Sequence, residues 1–438
     1  MGWITPLGFD LDGVWRRLLA GDSAIGPVTR FDAQTFATNF GAQIHGFTLR
    51  DHLPSANGTH EQAGESTKYA LAAAANAWRH AGLGEAGEMP AGLDPERAGV
   101  YMGAGEGTLD YAAFMAANVA GWDHDKRALD SVAWARQAYA GMSATSEVEQ
   151  EPHLTVSHMA TAFGLRGPAF NCMTACAASA QATGEAAEII KRGDADLMLA
   201  GGSHMMLHPL GMTGFIRLTA MSTRRDDPTH ASRPFDATRD GFVMGEGAGV
   251  LVLEDLEHAR ARGARILAEV AGYGSTADAF RITDIHPEGK GAAGAMGGAL
   301  REAGIDPHAT DDSGRPLVHY ISAHGTGTKE NDRIETLGVK AVFGELAPRV
   351  PFSSVKSMLG HLIQAAGAVE LITCVKAIET GWIPATMNLE HPDPECDLDH
   401  VPNAARDLNP VGGVDVCLSN SFGFGGQNDT VCVRRFRD

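Results

Sequence analysis

The chain has 438 residues, 44% of them apolar and 20% charged, which excludes a disordered protein and gives material for a large buried core. Its 35 Lys and Arg against 54 Asp and Glu leave a formal charge of −19, the wrong sign for a nucleic-acid binder. Six cysteines, at 172, 176, 374, 396, 417 and 432, include no CxxC pair, so neither a zinc framework nor a disulfide scaffold is expected, and a reducing cytoplasm is.

Read from the N-terminus, Met1-Gly2-Trp3-Ile4-Thr5-Pro6 has no basic or apolar signal region, and Pro6 stands where a myristoylation motif needs Ser or Thr. No apolar run approaches the roughly 20 residues of a membrane span. Residues 122–152 are polar and include the acidic run Glu147 to Glu151, the pattern of a surface excursion. The turn Asn171-Cys172-Met173-Thr174-Ala175-Cys176 leads into a helix over 177–192, stopped by Gly193, and a strand follows over 196–200. A charged helical stretch, 254–262, precedes a second series of elements. In it, 306–315 is an exposed connection, 318–323 a strand, 350–354 a strand, 356–360 a turn and 362–380 a long helix stopped by Gly381. The loop 420–428 lies between strands over 414–418 and 430–433. Short apolar strands alternating with amphipathic helices define an α/β protein. Two similar turns, each carrying reactive side chains before a helix, divide it into related halves, 1–253 and 254–438.

Cys176 sits among small residues at a helix start, where unpaired N–H groups and the helix dipole favour a thiolate, so a lowered thiol pKa is expected. Cys172 is the competing thiol. His324 ends a strand and opens Gly325-Thr326-Gly327-Thr328; Lys356 and His361 share one loop-to-helix junction in Lys356-Ser357-Met358-Leu359-Gly360-His361. A thiol, two imidazoles and an ammonium at strand-to-helix turns point to a nucleophile with proton-transfer and electrostatic partners. Asn420-Ser421-Phe422-Gly423-Phe424-Gly425-Gly426-Gln427-Asn428 places two Phe among glycines that let backbone N–H groups approach a ligand.

These four motifs resemble the beta-ketoacyl-acyl carrier protein synthases, the elongating enzymes of type II fatty acid synthesis and the ketosynthase subunits of type II polyketide synthases. Further runs of the same kind are Gly164 to Pro168, Ser232-Arg233-Pro234-Phe235-Asp236, Gly241 to Gly249 and Pro392 to Asp399. The resemblance implies a thiolase-like fold, with two similar α/β halves in α-β-α-β-α layers, and a dimer. It implies Cys176 as acyl-accepting nucleophile, His324 and His361 as the pair assisting malonyl decarboxylation, Lys356 as electrostatic support and Glu370 as the supporting helix carboxylate. By the same resemblance the backbone N–H groups of Cys176 and Phe422 form the oxyanion hole, Phe422 gates the acyl channel, and Glu106 and Phe215 lie at the acyl pocket.

The resemblance also implies an acyl carrier protein as partner, delivering substrate on its phosphopantetheine arm, with no other bound cofactor and no metal. Carriers are acidic, so docking calls for a local basic patch, for which Arg217, Arg224 and Arg225 are the candidates. Two departures stand out. Only Met1-Gly2-Trp3 precede Ile4, where the family carries a full strand, and Glu106 stands where the fatty acid enzymes carry an apolar residue. Fatty acid and polyketide elongation both fit, as do a homodimer and a heterodimer with a ketosynthase-like paralogue. Against the first reading stand a non-elongating chain-length-factor-like subunit, a CoA-dependent thiolase, whose Cys-x-Gly loop is missing, and a Cys/His hydrolase, in which Lys356 and His361 have no role.

Overall fold

The computed structural model describes residues 1–87, 89–90, 92–105, 110–282 and 285–438. One five-stranded sheet comprises β1 (Gly2–Ile4), β2 (Ala98–Ala104), β3 (Ala169–Cys172), β4 (Leu197–His204) and β5 (Gly247–Glu254), in the order β1-β5-β4-β2-β3. A second comprises β6 (Glu269–Ala277), β7 (Tyr320–Ser322), β8 (Phe352–Ser353), β9 (Val416–Gly423) and β10 (Gln427–Arg434), in the order β6-β10-β9-β7-β8. Strand directions match position by position: in each sheet the first two pairings are antiparallel and the last two parallel. The likeness of the two turns therefore extends to the whole backbone topology. Between β5 and β6 lies the short helix Leu256–Ala261, its first turn capped by the Asp255 carboxylate.

The layers follow from which helices are apolar all round. Residues 366–378 of α5 (Ala366–Thr380) are all buried, as is most of α2 (Ala178–Lys191), and these two pack against each other between the sheets. Helix α1 (Glu65–His80) covers the outer face of the first sheet; α3 (Lys290–Glu302) covers the second, and α4 (Lys329–Phe343) packs beside it, with Val339, Val342 and Phe343 in one cluster with Ile321, Phe352 and Leu418. The result is an α-β-α-β-α sandwich. Alanines make the contacts close: a Cβ at Gly2 would stand 2.4 Å from the Ala73 carbonyl oxygen of α1. Thus the three residues before Thr5 do form a strand, pairing with Ala248 to Val250.

Several boundaries differ from the sequence pattern. The strand expected over 196–200 runs on to His204, because both its faces are buried and no polar alternation marks its end. The turn 356–360 contains one helical turn, Lys356–Leu359. Asn420 to Gly423 belong to β9, so the expected loop shrinks to a turn at Phe424-Gly425-Gly426, with the glycines at φ 93° and 75°. Residues 122–152 form a small hairpin and the helices Ser131–Gly141 and Ala144–Val148 on the surface. Among the described residues no helix is long and apolar enough to cross a membrane, and all six cysteines are buried free thiols.

Candidate active site

Both central helices begin in the same unusual way. A 3-10 turn, Ala175–Ala177 or Ile363–Ala365, precedes each, and its first residue lies in the left-handed region, Ala175 at φ 48° and Ile363 at φ 41°. These sharp turns follow the parallel edge strands β3 and β8 and bring their side chains to the junction of the halves. Cys176 is the central residue of the first turn; His361 stands two residues before the start of the second. His324 arrives from the end of β7.

The three meet. His361 Nε2 lies 3.0 Å from Cys176 Sγ, the two imidazole centroids are 5.3 Å apart at 82°, and the sulfur and a nitrogen of each ring all fall within 4.8 Å of one another. The Ile363 backbone N–H donates to His361 Nδ1 at 3.3 Å, so the neutral ring carries its proton on Nε2, aimed at the sulfur. Burial and the nearby Lys356 ammonium hold both imidazoles well below their ordinary pKa, leaving them neutral at pH 7. Lys356 is itself buried in an ion pair with Glu370, whose carboxyl is pushed up to about 7 by burial while the ammonium pulls it down.

The expected lowering of the Cys176 pKa does not hold. Burial pushes the thiol up to about 12, outweighing Lys356 and the backbone N–H groups of Phe424 and Cys176 that favour the thiolate. Cys172 is a bystander: its thiol donates to the Ala178 carbonyl at 3.2 Å and burial raises it to about 12 as well.

Phe422 and Phe424 occupy different places in this loop. Phe422 stands opposite Asn428 within the β9–β10 hairpin, its ring 4% exposed and packed 5.8 Å from His324. Phe424 is the residue whose N–H reaches the sulfur; both rings line the cavity above, Phe424 the more exposed of the two. The two aromatics are alike in the motif, and only the strand register tells them apart.

That cavity, of about 630 Å³, has Cys176, His324 and His361 at its base and Leu218, Phe280 and Lys329 toward its mouth. Phe215 packs edge-on to Phe242, centroids 5.5 Å apart, and Phe242 packs edge-on to His361, placing Phe215 in the apolar cluster around Cys176. Glu106 lies outside the described residues. Arg217, exposed, ends the helix Pro209–Arg217 beside Leu218 at the mouth. Arg224 faces Asp227 at 3.6 Å, and exposed Arg225 donates to the Gln34 carbonyl at 3.0 Å.

Sequence reasoning missed the support beneath His324. Glu335, buried on α4, accepts from the backbone N–H groups of His324 at 2.8 Å and Gly325 at 2.7 Å, and Asn420 Nδ2 donates to it at 3.2 Å. Burial raises this carboxyl to about 7. The available signal was an acidic residue three positions after Asp332 on an otherwise inward-facing helix stripe.

Two α/β halves with a buried thiol, two imidazoles and a lysine at their junction define a condensing enzyme of thiolase-like fold. Residues 1–259 match the model of the beta-ketoacyl synthase N-terminal domain and 267–390 that of the beta-ketoacyl synthase C-terminal domain. The chain belongs to the beta-ketoacyl synthase family. It is 39% identical to a 3-oxoacyl-[acyl-carrier-protein] synthase 2 from Synechocystis sp., the match covering all of this chain and 97% of the relative. Among solved structures it is similar to the ishigamide ketosynthase/chain length factor, with TM-score 0.85 and 32% identity over 100% of this chain and 98% of that one. It is also similar to a type II polyketide acyl-carrier protein in complex with its ketosynthase bound to the hexaketide, with TM-score 0.82 and 31% identity over the same shares.

Proposed function

We propose that this protein catalyses the decarboxylative Claisen condensation of an acyl group held on Cys176 with malonyl-acyl carrier protein, giving a beta-ketoacyl-acyl carrier protein. The observation that carries the reading is the 3.0 Å approach of His361 Nε2 to Cys176 Sγ, in a tautomer that makes the ring a donor. In the first half-reaction the Cys176 sulfur attacks the carrier thioester and the thiol proton leaves with the departing phosphopantetheine thiolate, an exchange between thiols of similar stability. Lys356 and the N–H groups of Cys176 and Phe424 favour negative charge at the sulfur as it develops.

In the second half-reaction the malonyl C–C bond breaks, CO2 leaves, and its electron pair becomes an enolate. Neutral His324 and His361 offer N–H donors to the enolate oxygen in a buried site, where such bonds are far stronger than in water. The enolate carbon attacks the acyl-Cys176 carbonyl; the oxyanion rests on the Cys176 and Phe424 N–H groups and expels the Cys176 thiolate, which takes a proton from solvent. Glu370 holds Lys356 in place beneath the histidines.

The phosphopantetheine arm enters through the cavity above Cys176, and no other cofactor takes part. Arg217, beside the mouth, is the best placed of the three arginines for an acidic carrier, since Arg224 is engaged by Asp227. Phe424, on its two-glycine turn, gates the cavity, and Phe215 borders the acyl pocket. The working unit is a dimer, with itself or a ketosynthase-like paralogue, in the cytoplasm; fatty acid and polyketide elongation share every step above.

The test is intact-mass analysis after incubation with an acyl-acyl carrier protein thioester. An adduct that maps to Cys176, persists in Cys172→Ser and vanishes in Cys176→Ala supports the reading. No adduct at any chain length overturns it in favour of a non-elongating partner subunit.

A further inference from the structure

His204, at the end of β4, is a buried imidazole that the condensation does not use. It is 1% exposed, and its Nδ1 lies 3.1 Å from the carboxamide oxygen of Gln364. A carboxamide oxygen only accepts, so Nδ1 carries the proton. With no carboxylate among the described residues bonded to it, burial keeps the ring neutral, its pKa lowered to about 4. Nε2 is therefore a bare lone pair, and among the described residues it has no hydrogen-bond partner. A buried acceptor without a donor loses its hydration and gains nothing in return.

The position of this pair gives the lone pair a use. Gln364 is the residue of the second 3-10 turn that corresponds to Cys176 in the first, and it follows His361 by three positions. Its carboxamide is pressed over Gly105, where a Cβ would stand 1.7 Å from the amide nitrogen, so the glycine makes room for the side chain. Met206, two residues after His204, and Ile363, one before Gln364, both belong to the apolar cluster around Cys176. His204 and Gln364 do not line the cavity that opens above Cys176 to solvent. They form a buried polar point beside the apolar cluster around Cys176, near enough to His361 for a charge on His204 to act on that ring.

We propose that His204 Nε2, oriented by Gln364, is a recognition point for a hydroxyl group on the acyl chain carried by Cys176, so that the enzyme prefers a hydroxyacyl chain to a plain alkyl one. The proposal rests on Cys176 being the acyl carrier. A hydroxyl donates its hydrogen to Nε2 and satisfies it. A methylene leaves the lone pair unpaired, and a keto oxygen sets lone pair against lone pair. The expected order is hydroxyl, then alkyl, then oxo.

The test measures Cys176 acylation rates by intact mass, using synthetic pantetheine thioesters of one chain length: the saturated chain, and chains with a single hydroxyl or a single oxo group at successive carbons. One hydroxyl position should acylate on the order of 10- to 100-fold faster than the saturated chain, with the oxo isomer at that carbon slowest. In His204→Phe and in Gln364→Leu the hydroxyl-to-saturated ratio should collapse to about one. If the saturated chain acylates wild-type Cys176 and no hydroxyl position is faster, as when a water satisfies Nε2, the proposal is overturned and the condensation reading stands. A preference that survives both substitutions overturns it as well. If no thioester modifies Cys176, the reading on which the proposal rests falls with it.

Discussion

Glu335→Gln tests whether the second histidine is held by its backbone. The carboxylate accepts from His324 N–H at 2.8 Å through one oxygen and from Gly325 N–H at 2.7 Å through the other. A carboxamide has one oxygen, so the variant sets an NH2 group against one of these N–H donors. The lost bond to a charged acceptor and the stranded buried N–H together cost on the order of 2 kcal/mol, with no discount for solvent because the site is fully buried. Gly325, at φ 35° with Ser354 against it, has little room to rearrange, so the strain falls on His324. Spent wholly on misplacing that ring, about 2 kcal/mol corresponds to a roughly 30-fold slower decarboxylation. The assay follows CO2 release from malonyl-acyl carrier protein beside acylation of Cys176 by intact mass, with circular dichroism as a check on folding. Carbon dioxide release should fall by about 10- to 100-fold while acylation changes by less than about threefold. Undiminished CO2 release refutes the argument, and equal loss in both assays shows that Glu335 supports the fold rather than His324.

Removing either imidazole donor, in His324→Ala or His361→Ala, should slow elongation on the order of 10²- to 10³-fold while Cys176 still acquires an acyl group; an undiminished elongation rate counts against the donor role. With its thiol raised to about 12 by burial, Cys176 should react with iodoacetamide ever faster from pH 7 to pH 10, because the thiolate fraction keeps growing below the pKa. A plateau near neutrality, read by peptide mass, contradicts that. Lys356→Met leaves the Glu370 carboxylate buried without its cation and should lower stability by about 3–5 kcal/mol in urea unfolding, where a loss under about 1 kcal/mol speaks against a buried pair.

Much of this protein is legible in the order of its residues because the chemistry sits at turns. Cys176, His324, Lys356 and His361 each follow a short apolar strand and stand in or beside a run of small or Gly-rich residues, and local sterics suffice to mark such turns. The likeness of the turns at Cys176 and His361 likewise gave the two halves, which the matched strand order of both sheets extends to the full topology. What the sequence left open depends on contacts between residues far apart in the chain. The Cys176 thiol is raised and not lowered because burial by both halves outweighs the local helix start, a balance no window of sequence contains. Phe424 rather than Phe422 meets the sulfur because pairing of β9 with β10 carries Phe422 into the sheet. Glu335 meets the His324 backbone because α4 packs on the second sheet, and Gln364 meets His204 across 160 positions because the central turn of one half abuts a strand of the other. Sequence alone determined which groups stand at turns; only tertiary packing, which sets desolvation and register, decided what those groups face and which of them stay charged.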